Sequence, residues 1–165
     1  MCHSKSLIII DSREKPRAIN LIIDYFDRHN IQHMTSKLLF GDYMEYNHPS
    51  VVIDRKQNIG ELAKNCTIEH DRFRRELERC QAAGATLIIL VEQNTYTDRG
   101  QRVRVKSIED LLRWDSKFTI VKGEKVYRVL KSWMAKYPLR VEFCDKRGTG
   151  KRIVNLLSEN EFRDN

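Results

Sequence analysis

Apolar residues recur along this chain in two spacings, and the spacings alternate. A short β-branched run at residues 7–10 ends in the polar stretch Asp11-Ser12-Arg13-Glu14-Lys15-Pro16, which reads as a buried strand followed by a loop. Pro16 suits the first turn of a helix. Ile19, Ile22, Ile23 and Phe26 then give that helix one apolar face, with its end expected at Asn30. Residues 31–46 read as two extended pieces around Gly41. Asn47, Pro49 and Ser50 supply a turn into a strand at 51–56, so a hairpin is expected there. A helical segment follows at 59–64. Another is expected at 71–83, with Phe73, Leu77 and Cys80 on one face and Gly84 as its stop. The run 86–91 is the best buried-strand candidate. Residues 96–106 read as a charged loop. Ser107 to Asp110 has the form of a capping box opening a short helix through Trp114. A longer helix begins at Gly123 or Glu124, buries Val126, Val129, Leu130, Trp133 and Tyr137, and stops at Pro138. Residues 139–143 alternate like a strand. A last helix carries Ile153, Val154, Leu156 and Leu157, and the tail 159–165 is expected to fray. Strands alternating with helices, interrupted by one N-terminal hairpin, predict an α/β sandwich with a mixed sheet.

The 165 residues suit one domain, 1–165, with its core at about 7–157. No apolar run is long enough to span a bilayer. The N-terminal residues lack the pattern of a signal peptide, so a soluble, intracellular protein is expected: cytoplasm or nucleoid of a bacterial or phage-infected cell, or a eukaryotic nucleus. Cys2, Cys66, Cys80 and Cys144 form no CxxC pair and are expected as free thiols, with Cys80 on a core stripe. Cys66 and His70 stand four apart but lack two further ligands for zinc. The net charge of +7 is unevenly placed: residues 1–54 hold 6 basic and 7 acidic groups, whereas residues 113–152 hold 12 basic and 4 acidic. A basic half beside a carboxylate-bearing half suits a protein that holds a polyanion, although a solvated basic surface has the same composition.

The chemistry concentrates in Gly41-Asp42-Tyr43 and Val52-Ile53-Asp54-Arg55-Lys56. Alternation along a strand points Asp54 and Lys56 to one face and Arg55 to the other. A hairpin partner brings Asp42 beside Asp54. Two close carboxylates repel unless a cation lies between them, and Mg²⁺ favours one or two carboxylates plus water and phosphate. Lys56 would stand ready to stabilise charge on a phosphate. Taken alone, the same residues also describe a turn acid and a solvated strand end.

Three ordered motifs narrow the choice. Asp11-Ser12-Arg13-Glu14, Gly41-Asp42-Tyr43 and Asp54-Arg55-Lys56, followed by Arg72-Phe73 and an apolar strand ending in Val91-Glu92, resemble the nuclease domain of the XPF/Hef family of structure-specific endonucleases. The resemblance covers roughly residues 7–157. It implies a restriction-endonuclease-like three-layer sandwich, with a central mixed sheet flanked by helices. It also implies Mg²⁺- or Mn²⁺-dependent cleavage of branched DNA (flaps, forks, nicked junctions) in repair or recombination, and a homodimer or heterodimer formed through this domain. By the same resemblance Asp42 and Asp54 are the metal ligands, Lys56 the catalytic lysine and Asp11 a further site acid. Arg13, Glu14 and Arg55 then lie nearby, against phosphate or the ligands. The chain departs from the pattern in three places. Asp54 stands for the family's usual glutamate, Gly60 (with Glu61 beside it) for an acid four residues after the lysine, and Glu76 for a glutamine three after Arg-Phe. The helix-hairpin-helix and helicase domains of many relatives have no counterpart, and a stand-alone form is expected.

Other signals are weaker. Gly148-Thr149-Gly150-Lys151 lacks both the early glycine and the Ser/Thr of a phosphate loop, although Lys151 and Arg152 remain phosphate-contact candidates. Arg72 and Arg75, on an arginine-rich helix with Arg74 and Arg79, and Arg102 and Arg104, in the expected loop, are DNA-contact candidates. Tyr96 is a candidate to stack on an unpaired base. Trp114 and Trp133 read as core. Two competing functions are a non-catalytic, DNA-binding partner of an active nuclease and a restriction-like nuclease cutting duplex DNA.

Overall fold

The computed structural model describes residues 6–159. Strands β1 (Leu7–Asp11), β2 (Gln32–Ser36), β3 (Tyr43–Glu45), β4 (Val51–Lys56), β5 (Thr86–Val91) and β8 (Leu139–Phe143) form one sheet in the order β2-β1-β3-β4-β5-β8. Only β3 runs against its neighbours; the pairs β1–β2, β4–β5 and β5–β8 are parallel. The sheet is therefore mixed, as the alternation with one embedded hairpin predicts. Helices α1 (Pro16–Arg28) and α5 (Thr149–Ser158) cover one face, packing Ile22, Phe26, Ile153 and Leu156 on Ile8, Ile10, Ile53, Ile88 and Leu90. Helices α2 (Ile59–Asn65), α3 (His70–Ala82) and α4 (Gly123–Lys136) cover the other, packing Leu62, Phe73, Leu77, Leu130 and Trp133 on Val52, Leu87, Ile89 and Val91. Strand β5 is buried on both sides. Its continuous apolar run is what a central parallel strand requires.

Local signals account for most boundaries. Helix α1 opens on Pro16, and the chain leaves it through Asn30 at φ +54°. Gly84 at φ +71° follows α3. Ser107 and Asp110 form the expected reciprocal cap, but it opens a 3-10 turn (Ile108–Arg113). One expectation is corrected. Residues 96–106 are not a loop: most of them build a second, two-stranded sheet, β6 (Thr95–Asp98) and β7 (Gln101–Arg104). Arg99 and Gly100, both at positive φ, make its two-residue turn, a connection whose twist matches a hairpin. Charge masked the alternation. Cys66, Cys80 and Cys144 are free, and burial pushes the Cys66 thiol up to about 12. The expectations for Cys2 and for tail residues 160–165 lie outside the described residues. No helix among the described residues is long and apolar enough to cross a membrane.

Candidate active site

The site begins with a glycine. Gly41 has φ +69°, and a Cβ there would stand 2.2 Å from Val52 Cγ1, so only glycine lets the turn before β3 close onto β4. Closure is sealed by Asp42 N–H donating to Ile53 O at 2.7 Å and Asp11 N–H donating to Asp42 O at 2.8 Å. The register then follows. Tyr43 pairs with both Ile10 and Ile53; continued one step, it sets Asp42 between Asp11 and Asp54 in a row across three strands. Side chains in such a row share a face, the face of Val52 under α2 and α3.

The three acids differ in what holds them. The Asp11 carboxylate is fully used: Arg13 Nε donates at 2.6 Å and Leu38 N–H at 2.8 Å. Against the pull of burial, Arg13 and these backbone donors hold its pKa below the ordinary value. Two strand spacings, about 9–10 Å, separate it from Asp54, and its bonds tie Arg13 and Leu38 to the end of β1. Asp42 accepts from Arg55 N–H at 2.7 Å. Burial first, then the Asp54 and Glu14 carboxylates, raise its pKa well above the ordinary range. Asp54 is 5 % exposed. Its Oδ2 is buried and pairs with Lys56 Nζ at 2.7 Å. Burial raises the Asp54 pKa, and Lys56 pulls the other way. Lys56 stays charged: burial opposes this, but Asp54, Asp42 and Glu76 outweigh it. Its ammonium lies 5.3 Å from the centre of the Phe73 ring on α3.

Arg55 points through the sheet to the other face, as alternation requires. There Nε meets Glu14 Oε2 at 2.7 Å and Nη1 meets Glu92 Oε2 at 3.0 Å, while Tyr43 O–H donates to Glu14 at 3.0 Å. Arg55 and Glu14 are therefore braces beneath the site and do not reach its open face. Arg13 is an exposed side chain tied to Asp11 and Leu38 O. Glu61 accepts from Gln57 N–H, and its own N–H donates to Asn58 Oδ1, which caps α2. Glu76 was noted in the sequence only as a departure; its carboxylate accepts from Gly41 N–H at 2.9 Å and so lies beside Asp42.

The DNA-contact candidates separate by partner. Arg72 pairs with Glu69 at 2.7 Å, and Arg152 pairs with Glu142. Arg75, Arg102, Arg104 and Lys151 are exposed and form no ion pair within 4 Å among the described residues. Tyr96 is corrected: it is 9 % exposed and donates to Asp110 O at 2.6 Å, so it is core and presents no ring to a base.

Two solved structures share this architecture. XPF from Aeropyrum pernix in complex with DNA matches with a TM-score of 0.66 and 18 % identity over 96 % of this chain and 66 % of that one. XPF from Aeropyrum pernix matches with a TM-score of 0.63 and 16 % identity over 94 % of this chain and 65 % of that one. The chain thus spans just under two thirds of the length of those archaeal chains. The six-stranded mixed sheet between two helical layers is the restriction-endonuclease-like fold of the XPF nuclease domain. The model of the ERCC4 domain matches residues 10–156, and the chain belongs to that family of nuclease domains. No curated protein matches it.

Proposed function

We propose that this chain is a divalent-metal-dependent endonuclease that hydrolyses phosphodiester bonds in branched DNA. The observation that carries the proposal is a buried pair of carboxylates on neighbouring strands with one ammonium to share: Asp54 meets Lys56 Nζ at 2.7 Å, while Asp42, repelled by Asp54, meets no cation within 4 Å among the described residues. Holding two carboxylates close and buried disfavours their charged forms unless a further cation joins them. A fold retains that cost where the pair has a ligand to meet.

The donor set fits Mg²⁺ or Mn²⁺. Among the described residues no three His, Cys, Asp or Glu side chains stand ready as a closed metal centre. Mg²⁺ needs none: one or two carboxylates suffice when phosphate and water complete its shell. Asp42 and Asp54 would hold it. When bound, the ion supplies positive charge that polarises the scissile phosphate and makes water more acidic. The chain's own groups do the rest. Arg55 N–H fixes one oxygen of Asp42. The Arg55–Glu14–Glu92 lattice fixes the strand from below. Lys56, charged and confined between Asp54 and Phe73, presents an ammonium to the oxygen on which negative charge grows.

The exposed, unpaired Arg75, Arg102, Arg104 and Lys151 supply cations for the DNA backbone, whose contacts position without reading sequence. An intracellular location and pairing with a second nuclease domain belong to the same proposal, and sedimentation of the chain with and without DNA tests the pairing. The deciding experiment offers labelled flap, fork and linear duplex DNA to the chain and to Asp54→Asn in Mg²⁺. Cleavage of the branched substrates by the parent alone is expected. Equal cutting by the variant removes this site, no cutting by the parent favours a binding partner, and linear duplex cut as well as the branches favours a restriction-like nuclease.

A further inference from the structure

Glu76 is left unexplained by the two-carboxylate site. It lies on α3 one turn beyond Phe73, the ring that Lys56 faces at 5.3 Å. Its Oε1 accepts from Gly41 N–H at 2.9 Å. Gly41 rests on Val52 and Ile53 O, so this carboxylate lies on the Val52–Asp54–Lys56 side of β4, one residue from Asp42. Its other oxygen meets no cation within 4 Å and accepts no hydrogen bond among the described residues. Arg13 and Arg72 feel its charge without pairing with it.

A bond to one backbone N–H needs only an amide or hydroxyl acceptor. A carboxylate in that position places a negative charge beside two acids that already repel each other, and it raises the Asp54 pKa further. Within the fold alone this is a cost. It becomes useful if a cation occupies the site, because every added negative charge then deepens the well that holds it.

We infer that Glu76 is a third acid of the cation site, a positioning residue whose charge sets divalent-metal affinity while its Gly41 bond holds the turn that carries Asp42. The inference rests on the proposed metal site and deepens it. The buried Asp54 carboxylate, paired with Lys56 at 2.7 Å, and the cation-free Asp42 mark the side from which the ion is met.

The test is Mn²⁺ binding to the whole chain without DNA, by calorimetry and by the electron-spin signal of free Mn²⁺, for the parent, Glu76→Gln, Glu76→Asp and Asp54→Asn. Gln keeps an oxygen for Gly41 N–H and removes only the charge. Its melting temperature in EDTA should equal or exceed the parent's, while its Mn²⁺ dissociation constant rises about fivefold or more. Glu76→Asp should bind within about threefold of the parent. Gln and parent dissociation constants within twofold of each other overturn the inference, as does an equal loss with Asp and Gln. The Asp54→Asn arm separates the two levels. Binding lost there but kept in Glu76→Gln defeats Glu76 alone; binding kept in Asp54→Asn defeats the site itself.

Discussion

The two faces of β4 carry the same kinds of charge and treat them in opposite ways. Below the sheet, both carboxylates pair directly with the cation: Arg55 meets Glu14 and Glu92, and the Tyr43 hydroxyl donates to Glu14. Above it, Lys56 pairs with Asp54 alone, and Asp42 meets no cation within 4 Å among the described residues. Carboxylates paired directly with a cation brace, whereas a carboxylate left without one has room for a ligand. The pKa directions tell the same story. Against burial, its two glutamate partners hold Arg55 more firmly charged than usual, while burial and mutual repulsion push Asp42 toward its neutral form.

Substitutions on the two faces should therefore fail differently. The largest effect is expected above the sheet and in function: Asp54→Asn should lower Mg²⁺-dependent cleavage of a flap by about a thousandfold, ~4 kcal/mol of barrier, with the fold retained by circular dichroism. Below the sheet the loss should be one of stability. Arg55→Met leaves Glu14 and Glu92 buried without their cation, which costs about 3–5 kcal/mol and should lower the melting temperature by about 10 °C. If Arg55→Met melts with the parent, the bracing role is wrong.

Asp42→Asn sharpens the contrast, because it should stabilise the metal-free chain. Asparagine still accepts from Arg55 N–H and removes the repulsion with Asp54 and Glu14, so a gain of about 1 kcal/mol is expected in EDTA at pH 7, alongside lost cleavage. Its pH dependence has a definite sign. The folded Asp42 holds its proton above the ordinary value of 3.8, where the unfolded chain has released it. In that interval the native state binds more protons, so stability falls as pH rises from about 3.8 through the folded value. Asp11 runs oppositely: its pKa is lowered, and its contribution is lost as pH falls below about 3.8 through the folded value. Urea titrations from pH 3 to 8 should show the first slope vanish in Asp42→Asn and persist in Glu14→Gln only in reduced form. The smallest effect is expected for Tyr43→Phe, which deletes one hydrogen bond to Glu14 and should cost about 0.5–1.5 kcal/mol in a denaturant melt. A neutral result there would mean that Arg55 alone satisfies Glu14.

The chain order of elements, the hairpin before β4 and the opposition of Asp54 and Lys56 to Arg55 were all legible in the residues. Each depends on a local rule: a period of 3.6 or 2, a proline, a glycine, an alternation. The second hairpin was hidden because Thr95 to Arg104 alternates charge and polarity with little apolar contrast, and only its Arg99-Gly100 turn betrays it. Asp11, Asp42 and Asp54 were equal as letters. Which of them is free depended on Arg13 and the Leu38 N–H reaching Asp11 from the neighbouring loop, a contact between residues 27 apart.

The sequence alone therefore determined the elements of the main sheet, its helices and the family, because these are written in short-range spacing and motif order. The tertiary structure decided which carboxylates find a cation, why Arg55 and Glu14 are braces, and that Glu76 lies beside Asp42. Those outcomes depend on which distant hydrogen-bond donors reach each oxygen once the strands are registered and the helices packed. Desolvation and pairing act across the fold, and no local pattern carries them.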